Sequence, residues 1–332
     1  MGVTIKDIAR LAGVSYSTVS KALNDSPLVR PDTKQKILDI ANELGYQPNI
    51  AAKKLVSNQS KTIGVVWPTV NRVALSTIVT KLNEAVEAAN YSMILSINDV
   101  TSAINLFKRF QVDGILVFET SHQILREGID SQIPLTLIAV PDSPLPSIDV
   151  RRRDAIYKAV AYLHNLGHEK LAYVGHLPEQ QDGQFEKYIG FTEALIRLGL
   201  NPRPEMFVNT EGLYVDHGYR AMHKLLQSGE RPTAVIAGSY EITQGIIRAT
   251  KEAGLRIPKD ISLVGYDNIP QMEELEVPVT AVGASAETIA NKAVDVLFKY
   301  IHDPKAQPTV ASIEPEVNER KSCQPLYKVE SE

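Results

Sequence analysis

"TIKDIARLAGVSYSTVSKALN", residues 4–24, carries two short apolar stripes on either side of a glycine. Ile5, Ile8, Ala9 and Ala12 recur at the i, i+3, i+4, i+7 spacing of one helix face, and Asp7 stands three after Thr4 as in a capping box. Gly13 predicts a break, and Ser15 is suited to cap the helix that follows. At about 100° per residue, Tyr16, Ser17, Ser20 and Lys21 fall within an arc of roughly 140°, with Val19 and Ala22 facing away. Two short helices about a Gly-containing turn make a helix-turn-helix, whose second helix can enter a DNA major groove. A third helix is predicted in "RPDTKQKILDIANELGY" (30–46). Pro31 suits its first turn, Ile37, Leu38, Ala41 and Leu44 form its stripe, and Gly45 ends it. Periodicity alone fits a three-helix bundle with a merely solvated polar face equally well.

The next stretch, "QPNIAAKKLVSNQS" (47–60), shifts that balance. Pro48 and Asn49 open a helix whose only apolar side is Ala51, Ala52 and Leu55, and Ser57, Asn58 and Ser60 close it. A helix this short is marginal alone in water and awaits something that buries its apolar side. Lys53 and Lys54 point to phosphates nearby when that happens. The net charge of −4 argues against nucleic acid for the chain as a whole, but the charge is uneven. Residues 1–60 hold eight Lys/Arg against five Asp/Glu, a balance of +3, which leaves −7 on the remainder. A small basic head on an acidic body suggests that only the head meets a polyanion.

A chain of 332 residues predicts more than one domain. From Thr62 onward, apolar runs ("TIGVVWP", "YSMILSIND", "DGILVFET", "PLTLIAV", "LAYVGH", "AVIAGS", "ISLVGYD") alternate with amphipathic stretches such as "STIVTKLNEAVEAAN" and "EITQGIIRATKEAGL". That alternation predicts parallel strands in βαβ units, an α/β body. A break near "SIDVRRRD" (147–154) divides it into two doubly wound lobes with a cleft at the carboxyl ends of the strands. No run of eighteen apolar residues predicts a membrane span, and the N-terminus lacks the pattern of an export signal. Cys323 is the single cysteine and has no neighbour at metal-ligand spacing, so a metal site, a cofactor and a disulfide are all unexpected. The expected compartment is the cytoplasm. No P-loop, GxGxxG after the first strand, HExxH or GxSxG argues for an enzyme, and His168 in "LGHEK" reads as a turn residue.

Residues 3–60, through "TIKDIARLAGVSYSTVSKALN" and "VRPDTKQKILDIANELGYQPNIAAKKL", resemble the DNA-binding head of the lactose-repressor/galactose-repressor family. "DGILVFE", "LHNLGHEKLAYVG", "GLRIPKDISLVGYDN" and "PEVNERKSC" extend the likeness to the family's core, which is like a periplasmic sugar-binding protein. The resemblance implies a helix-turn-helix domain over 1–48, a hinge helix and linker over 49–60, and an effector-binding and dimerisation core over 61–332. Within that core, lobe one takes about 61–150 and 284–312, and lobe two about 151–283 and 313–332. It implies DNA contacts by Thr4, Ser15, Tyr16, Ser17, Thr18, Ser20, Lys21, Asn24, Asn49, Ala52 and Leu55. Lys21 would donate to guanine, and Leu55 would wedge open a minor-groove base step when two hinge helices fold together on DNA.

In the cleft, strand ends and family motifs together name Trp67, Asn71, Asp99, Glu119, Arg151, Lys187, Tyr240 and Asp267 as effector contacts. Trp67 taken alone reads as core, and the Asp-Asn of "GYDN" taken alone as a turn. The family uses the aspartate at Asp267 to hold ligand hydroxyls or amines. Several motif positions depart from its pattern. Lys187 stands for the usual Arg, Ser239-Tyr240 for Asn-Asp, and "VRR" (150–152) for "VDN". The cleft thus loses acids and gains Arg and Lys, which suits a sugar acid or sugar phosphate over a neutral carbohydrate. The competing reading has Arg151, Arg152 and Arg153 facing solvent or paired with acids across the dimer. The implied function is a dimeric transcription regulator, a repressor, which binds a near-palindromic double-stranded operator under control of a small effector. The alternatives are the same regulator governed by a protein partner, and a solute-binding protein.

Overall fold

The computed structural model describes residues 3–23, 25–46, 59–118, 131–178, 183–229 and 231–326. The chain divides into two compact units, residues 1–60 and 61–332. In the first, α1 (Ile5–Ala12), α2 (Tyr16–Leu23) and α3 (Pro31–Glu43) pack around Ile8, Ala12, Val19, Ala22, Val29, Ile37 and Ala41. Gly13 ends α1 at φ +72°, the left-handed turn that a Cβ disfavours, and so sets the angle between the first two helices. Lys36 of α3 donates to the Ala12 carbonyl at 3.1 Å, satisfying one of the orphan acceptors at the end of α1. Ile8 and Ile37 are fully buried in this small core. Truncating either to Ala should cost about 3 kcal/mol, a large share of what a core of this size supplies.

The second unit is built on two six-stranded sheets. Along the chain come β1 (Thr62–Val66), α4 (Val73–Ala88), β2 (Ser92–Ser96), α5 (Val100–Phe110), β3 (Gly114–Phe118), β4 (Leu135–Ile138) and β5 (Ser147–Asp149). These are followed by α6 (Arg152–Asn165), β6 (Leu171–Gly175), α7 (Gly183–Arg197), β7 (Phe207–Asn209), α8 (Val215–Gln227), β8 (Ala234–Ala237), α9 (Tyr240–Glu252) and β9 (Ser262–Asn268). The last elements are β10 (Thr280–Ser285), α10 (Ala286–His302), β11 (Val310–Ser312) and β12 (Glu316–Asn318).

The first sheet runs β11-β5-β4-β3-β1-β2, with all neighbours parallel. The second runs β12-β10-β9-β8-β6-β7, parallel except for β12 against β10. Strands β1, β4, β6 and β8 are buried along their whole length, as expected where helices cover both faces of a parallel sheet. The α/β architecture of two doubly wound lobes read from the alternating runs is present. The chain passes between sheets from β5 to β6 by way of α6, from β10 to α10 and β11, and from β11 to β12.

Packing in the second lobe is tight where α8 meets α9. A Cβ on Gly218 would stand 2.6 Å from the Ile242 carbonyl oxygen, and one on Gly245 would run into the backbone of Val215 and Tyr219. Two helices approach this closely only through glycine. That contact fixes the first turn of α9, which carries Glu241 to the other lobe.

Candidate nucleic-acid interface and interlobe cavity

On the head, α2 buries Val19 and Ala22 and leaves Tyr16, Ser17 and Lys21 exposed, Tyr16 at 54%. Ser15 caps the helix, accepting from the Thr18 amide at 3.2 Å. Its Oγ also lies 2.8 Å from the hydroxyls of Ser17 and Thr18, so three hydroxyls cluster at the start of α2. Ser20 is half-buried. Thr4 spends its amide and hydroxyl on Asp7 Oδ2, at 3.0 and 2.7 Å, and these bonds hold the Asp7 carboxyl below its ordinary value. Lys34 pairs with Asp25 and Lys36 with the Ala12 carbonyl, so two of the head's cations serve the fold. Lys21 has no acidic partner among the described residues, which leaves a charge on the exposed stripe. Asn24, Asn49, Ala52 and Leu55, and with them the hinge helix, lie outside the described residues.

Between the lobes of the second unit lies a cavity of about 80 Å³. The first lobe supplies Arg72, Ala74, Leu75 and Ile78 near the start of α4, Phe118 at the end of β3 and Ala139 after β4, with Ala286 and Ile289 from α10. The second supplies Arg152, Gln184, Lys187, Tyr266, Asp267, Asn268 and Ile269. Val150, Gly283 and Ala284 complete it at the connections. A larger hollow on the first lobe, about 280 Å³ beside Tyr300 and Pro304, has no charged residue in its lining among the described residues.

Several of the polar groups around the cavity are held from behind. The Lys187 ammonium, 2% exposed, donates to the Gly238 carbonyl at 2.7 Å and stands 3.6 Å over the Tyr266 ring. Burial raises the Tyr266 phenol to about 12, so it stays neutral beneath that cation. Asp267 accepts the Tyr240 amide at 2.9 Å, which ties the end of β9 to the first turn of α9. Asn268 donates to the Gly283 carbonyl at 3.3 Å and accepts from Asn318 at 2.7 Å, locking β9 to β10 and β12. Arg152 donates to the Ala139 carbonyl at 2.8 Å, from α6 of one lobe to the end of β4 in the other.

A second link crosses the lobes at Glu241. Its carboxylate accepts the Val73 amide at 2.8 Å and the Arg72 guanidinium at 3.3 and 3.4 Å, so it caps α4 and pairs with the residue before it. Both side chains are largely buried, at 13% and 7% exposure. Backbone strain gathers here as well. Ala139, Arg151 and Asp267 hold φ of +67°, +48° and +78°, all left-handed, a conformation that non-glycine residues keep only where their surroundings enforce it.

Of the eight effector contacts expected from the sequence, Lys187 and Asp267 line the cavity. Trp67 is 1% exposed and packs on Phe118 with ring centroids 4.7 Å apart, behind the lining. Tyr240 is buried and meets Asp267 through its amide, and burial raises its phenol. Asn71 and Asp99 are exposed, Asp99 capping α5 through the Ser102 amide. Glu119 lies outside the described residues. Arg151 turns away to Asp154 at 2.8 Å and to Glu314, and Arg153 pairs with Glu193. Arg152, between them, takes the place in the lining, and Arg72 was not anticipated. His168 closes the turn after α6 through its amide on the Leu163 carbonyl, as expected, and its side chain is buried against the Gln324 carbonyl at 3.0 Å. No helix of the described residues is long and apolar enough to cross a membrane.

Residues 4–49 match the profile of bacterial regulatory proteins of the lacI family, and residues 160–323 that of a periplasmic binding protein-like domain. The chain is 30% identical over 331 residues to catabolite control protein A of Priestia megaterium, covering 97% of this chain and 99% of that one. It is 30% identical over 335 residues to the HTH-type transcriptional repressor PurR of Pasteurella multocida, covering 96% and 98%. Among solved structures, the Lac repressor dimer bound to operator and the anti-inducer ONPF superposes with a TM-score of 0.83 at 26% identity, over 98% of this chain and 100% of that one. A helix-turn-helix with an exposed polar recognition stripe, two doubly wound lobes around a charged cavity, and this full-length similarity have one common explanation: the chain belongs to the lacI family of bacterial regulatory proteins, which are DNA-binding transcriptional regulators.

Proposed function

We propose that this protein is a cytoplasmic repressor that binds a near-palindromic operator as a homodimer and is controlled by a small ligand in the interlobe cavity. The observation that carries the reading is α2. A helix of eight residues spends two on the core and aims Tyr16, Ser17 and Lys21 outward, without an acidic partner for the lysine among the described residues. Such a stripe suits base edges, with Lys21 toward guanine and Ser15 and Thr18 toward backbone phosphates. The operator-bound dimer of the similar Lac repressor supports the two-fold assembly, since two heads on one axis need a two-fold site. The proposed wedge role of Leu55 and Ala52 rests on the family resemblance.

Ligand and DNA communicate in this reading through the angle between the lobes. A ligand that favours one closure angle also favours one spacing of the two hinge segments. Whatever tightens the ligand in the DNA-bound form must equally tighten DNA. The test begins with selection of bound sequences from random duplex DNA by the full chain. On the selected site, Lys21→Ala should weaken binding about tenfold or more and relax preference at one base pair of each half-site. Leu55→Gly should weaken it without changing ligand affinity. Equal affinity of wild type and both variants in a gel-shift titration would remove the reading.

A further inference from the structure

Arg152 differs from the other cations that line the cavity. Arg72 has the Glu241 carboxylate, and Lys187 is enclosed by a carbonyl and a ring face. Arg151 and Arg153, its neighbours in sequence, each hold at least one carboxylate. The half-buried Arg152 guanidinium, which is permanently charged, makes a single hydrogen bond, to the neutral Ala139 carbonyl, and meets no carboxylate among the described residues. A guanidinium has five donors in a planar fork, so most of this fork is unspent on the described protein. A charge drawn partly out of water without a counter-ion is a cost to the fold, and proteins keep such costs where a ligand removes them.

The remaining walls narrow the class of ligand. Leu75, Ile78, Phe118 and Ile289 face the cavity with carbon, and Asn268 is committed to Gly283 and Asn318. A polyhydroxylated ring would strand hydroxyls against these carbon walls, since the polar lining residues Gln184, Lys187 and Asp267 all stand on the second lobe. The volume holds about half a dozen waters, which sets a compact size.

From these observations we infer that the cavity takes a compact organic oxyanion, a carboxylate or phosphate on a largely apolar body, and that Arg152 is its anion seat. The inference rests on the ligand-controlled reading above and names its ligand class. Because Arg152 also reaches Ala139 of the opposite lobe, an oxyanion on the fork would compete for, or share, the hydrogen bond that joins the lobes.

The test uses the full-length protein and its melting temperature, with inorganic phosphate as the probe that any oxyanion seat accepts. Relative to chloride at equal ionic strength, millimolar phosphate should raise the wild-type melting temperature by about 2 °C or more. Arg152→Met should abolish that rise, Arg152→Lys should keep part of it, and Arg153→Met should keep all of it. Without ligand, Arg152→Met should melt no lower than wild type, because it removes an uncompensated charge. Benzoate should bind about ten- to one-hundred-fold more tightly than benzamide, and that difference should vanish in Arg152→Met. An equal phosphate response in wild type and Arg152→Met overturns the inference, as does a clear loss of stability in ligand-free Arg152→Met. If glucose stabilises the wild type while phosphate and benzoate do not, the anion seat is wrong and the ligand-controlled reading stands. If operator affinity responds to none of these compounds and phosphate does not distinguish the variants, both fall.

Discussion

The first lobe meets the cavity mostly with carbon, through Ala74, Leu75, Ile78, Phe118 and Ala139, while the second brings Arg152, Lys187 and Asp267. The exception on the first lobe, Arg72, is neutralised by Glu241 from the second. Charge interactions need geometry fixed in advance, and the second lobe fixes its groups through Gly238, Tyr266 and the Tyr240 amide. Apolar contact needs only area, and a lobe that swings can supply it late. The asymmetry teaches an order of events. In the proposed ligand-controlled reading, the second lobe selects by charge and the first closes over what has been selected.

The strongest way to break this picture is to cut the ion pair that joins the lobes without a ligand. Glu241→Ala removes the partner of a buried guanidinium and the cap of α4 in one change. It should destabilise by about 3 kcal/mol in denaturant titrations. A double-mutant cycle with Arg72→Ala should return a coupling of about 1–3 kcal/mol. Small-angle scattering of Glu241→Ala should show a more open second unit. Were the cycle to return no coupling, the Arg72–Glu241 pair would have no part in closure, and the division of labour between lobes would fail.

A smaller effect is expected from Lys187→Met, within about 1 kcal/mol of wild type. The variant loses the bond to the Gly238 carbonyl but no longer desolvates an ammonium. Ligand affinity should suffer far more than stability. A loss well above 2 kcal/mol in the ligand-free protein would mean that this charge is structural cement, leaving Arg152 as the second lobe's cation for ligands.

How much of this could be seen in the sequence follows from how local each feature is. Helices α1 to α3 carry their own stripes and stops, and strands β1 to β4, β6, β8 and β9 carry apolar runs. Three-residue strands such as β5 and β7 carry none. Ser147 is a strand residue because Leu137 and Val310 flank it, which no nearby residue announces. Asp267 and Lys187 could be named because motifs mark them. The sequence reading names Arg151 where Arg152 takes the lining, since three identical side chains differ only in helix phase and in distant partners Glu193 and Glu314. Arg72 and Glu241 lie 169 positions apart, so their pairing exists only once both sheets are formed.

The mildest prediction concerns a proton and separates the lobes by chemistry of another kind. Among described residues the buried histidine is His168, in the second lobe, 2% exposed with Nε2 on the Gln324 carbonyl. Burial depresses its pKa below the ordinary 6.5, and the bond to that carbonyl opposes the shift only in part. The folded state therefore binds the proton less readily than the unfolded one. The stability that neutral His168 contributes is complete above about pH 6.5 and is lost as pH falls from there through the depressed value. Charging the ring puts a proton on each nitrogen, and Nδ1 is buried with no partner among the described residues, beside the tail whose Gln324 and Leu326 bond back to Ser262 and Leu166. Amide exchange, corrected for its intrinsic pH dependence, should therefore quicken between pH 7 and 5.5 at Gln324, Leu326 and β9, while β1 and β3 keep their protection. His168→Gln should flatten the response, since an amide can still donate to Gln324 but takes up no proton in this range. Equal acceleration in both lobes would trace the acid effect to charge distributed over the whole unit.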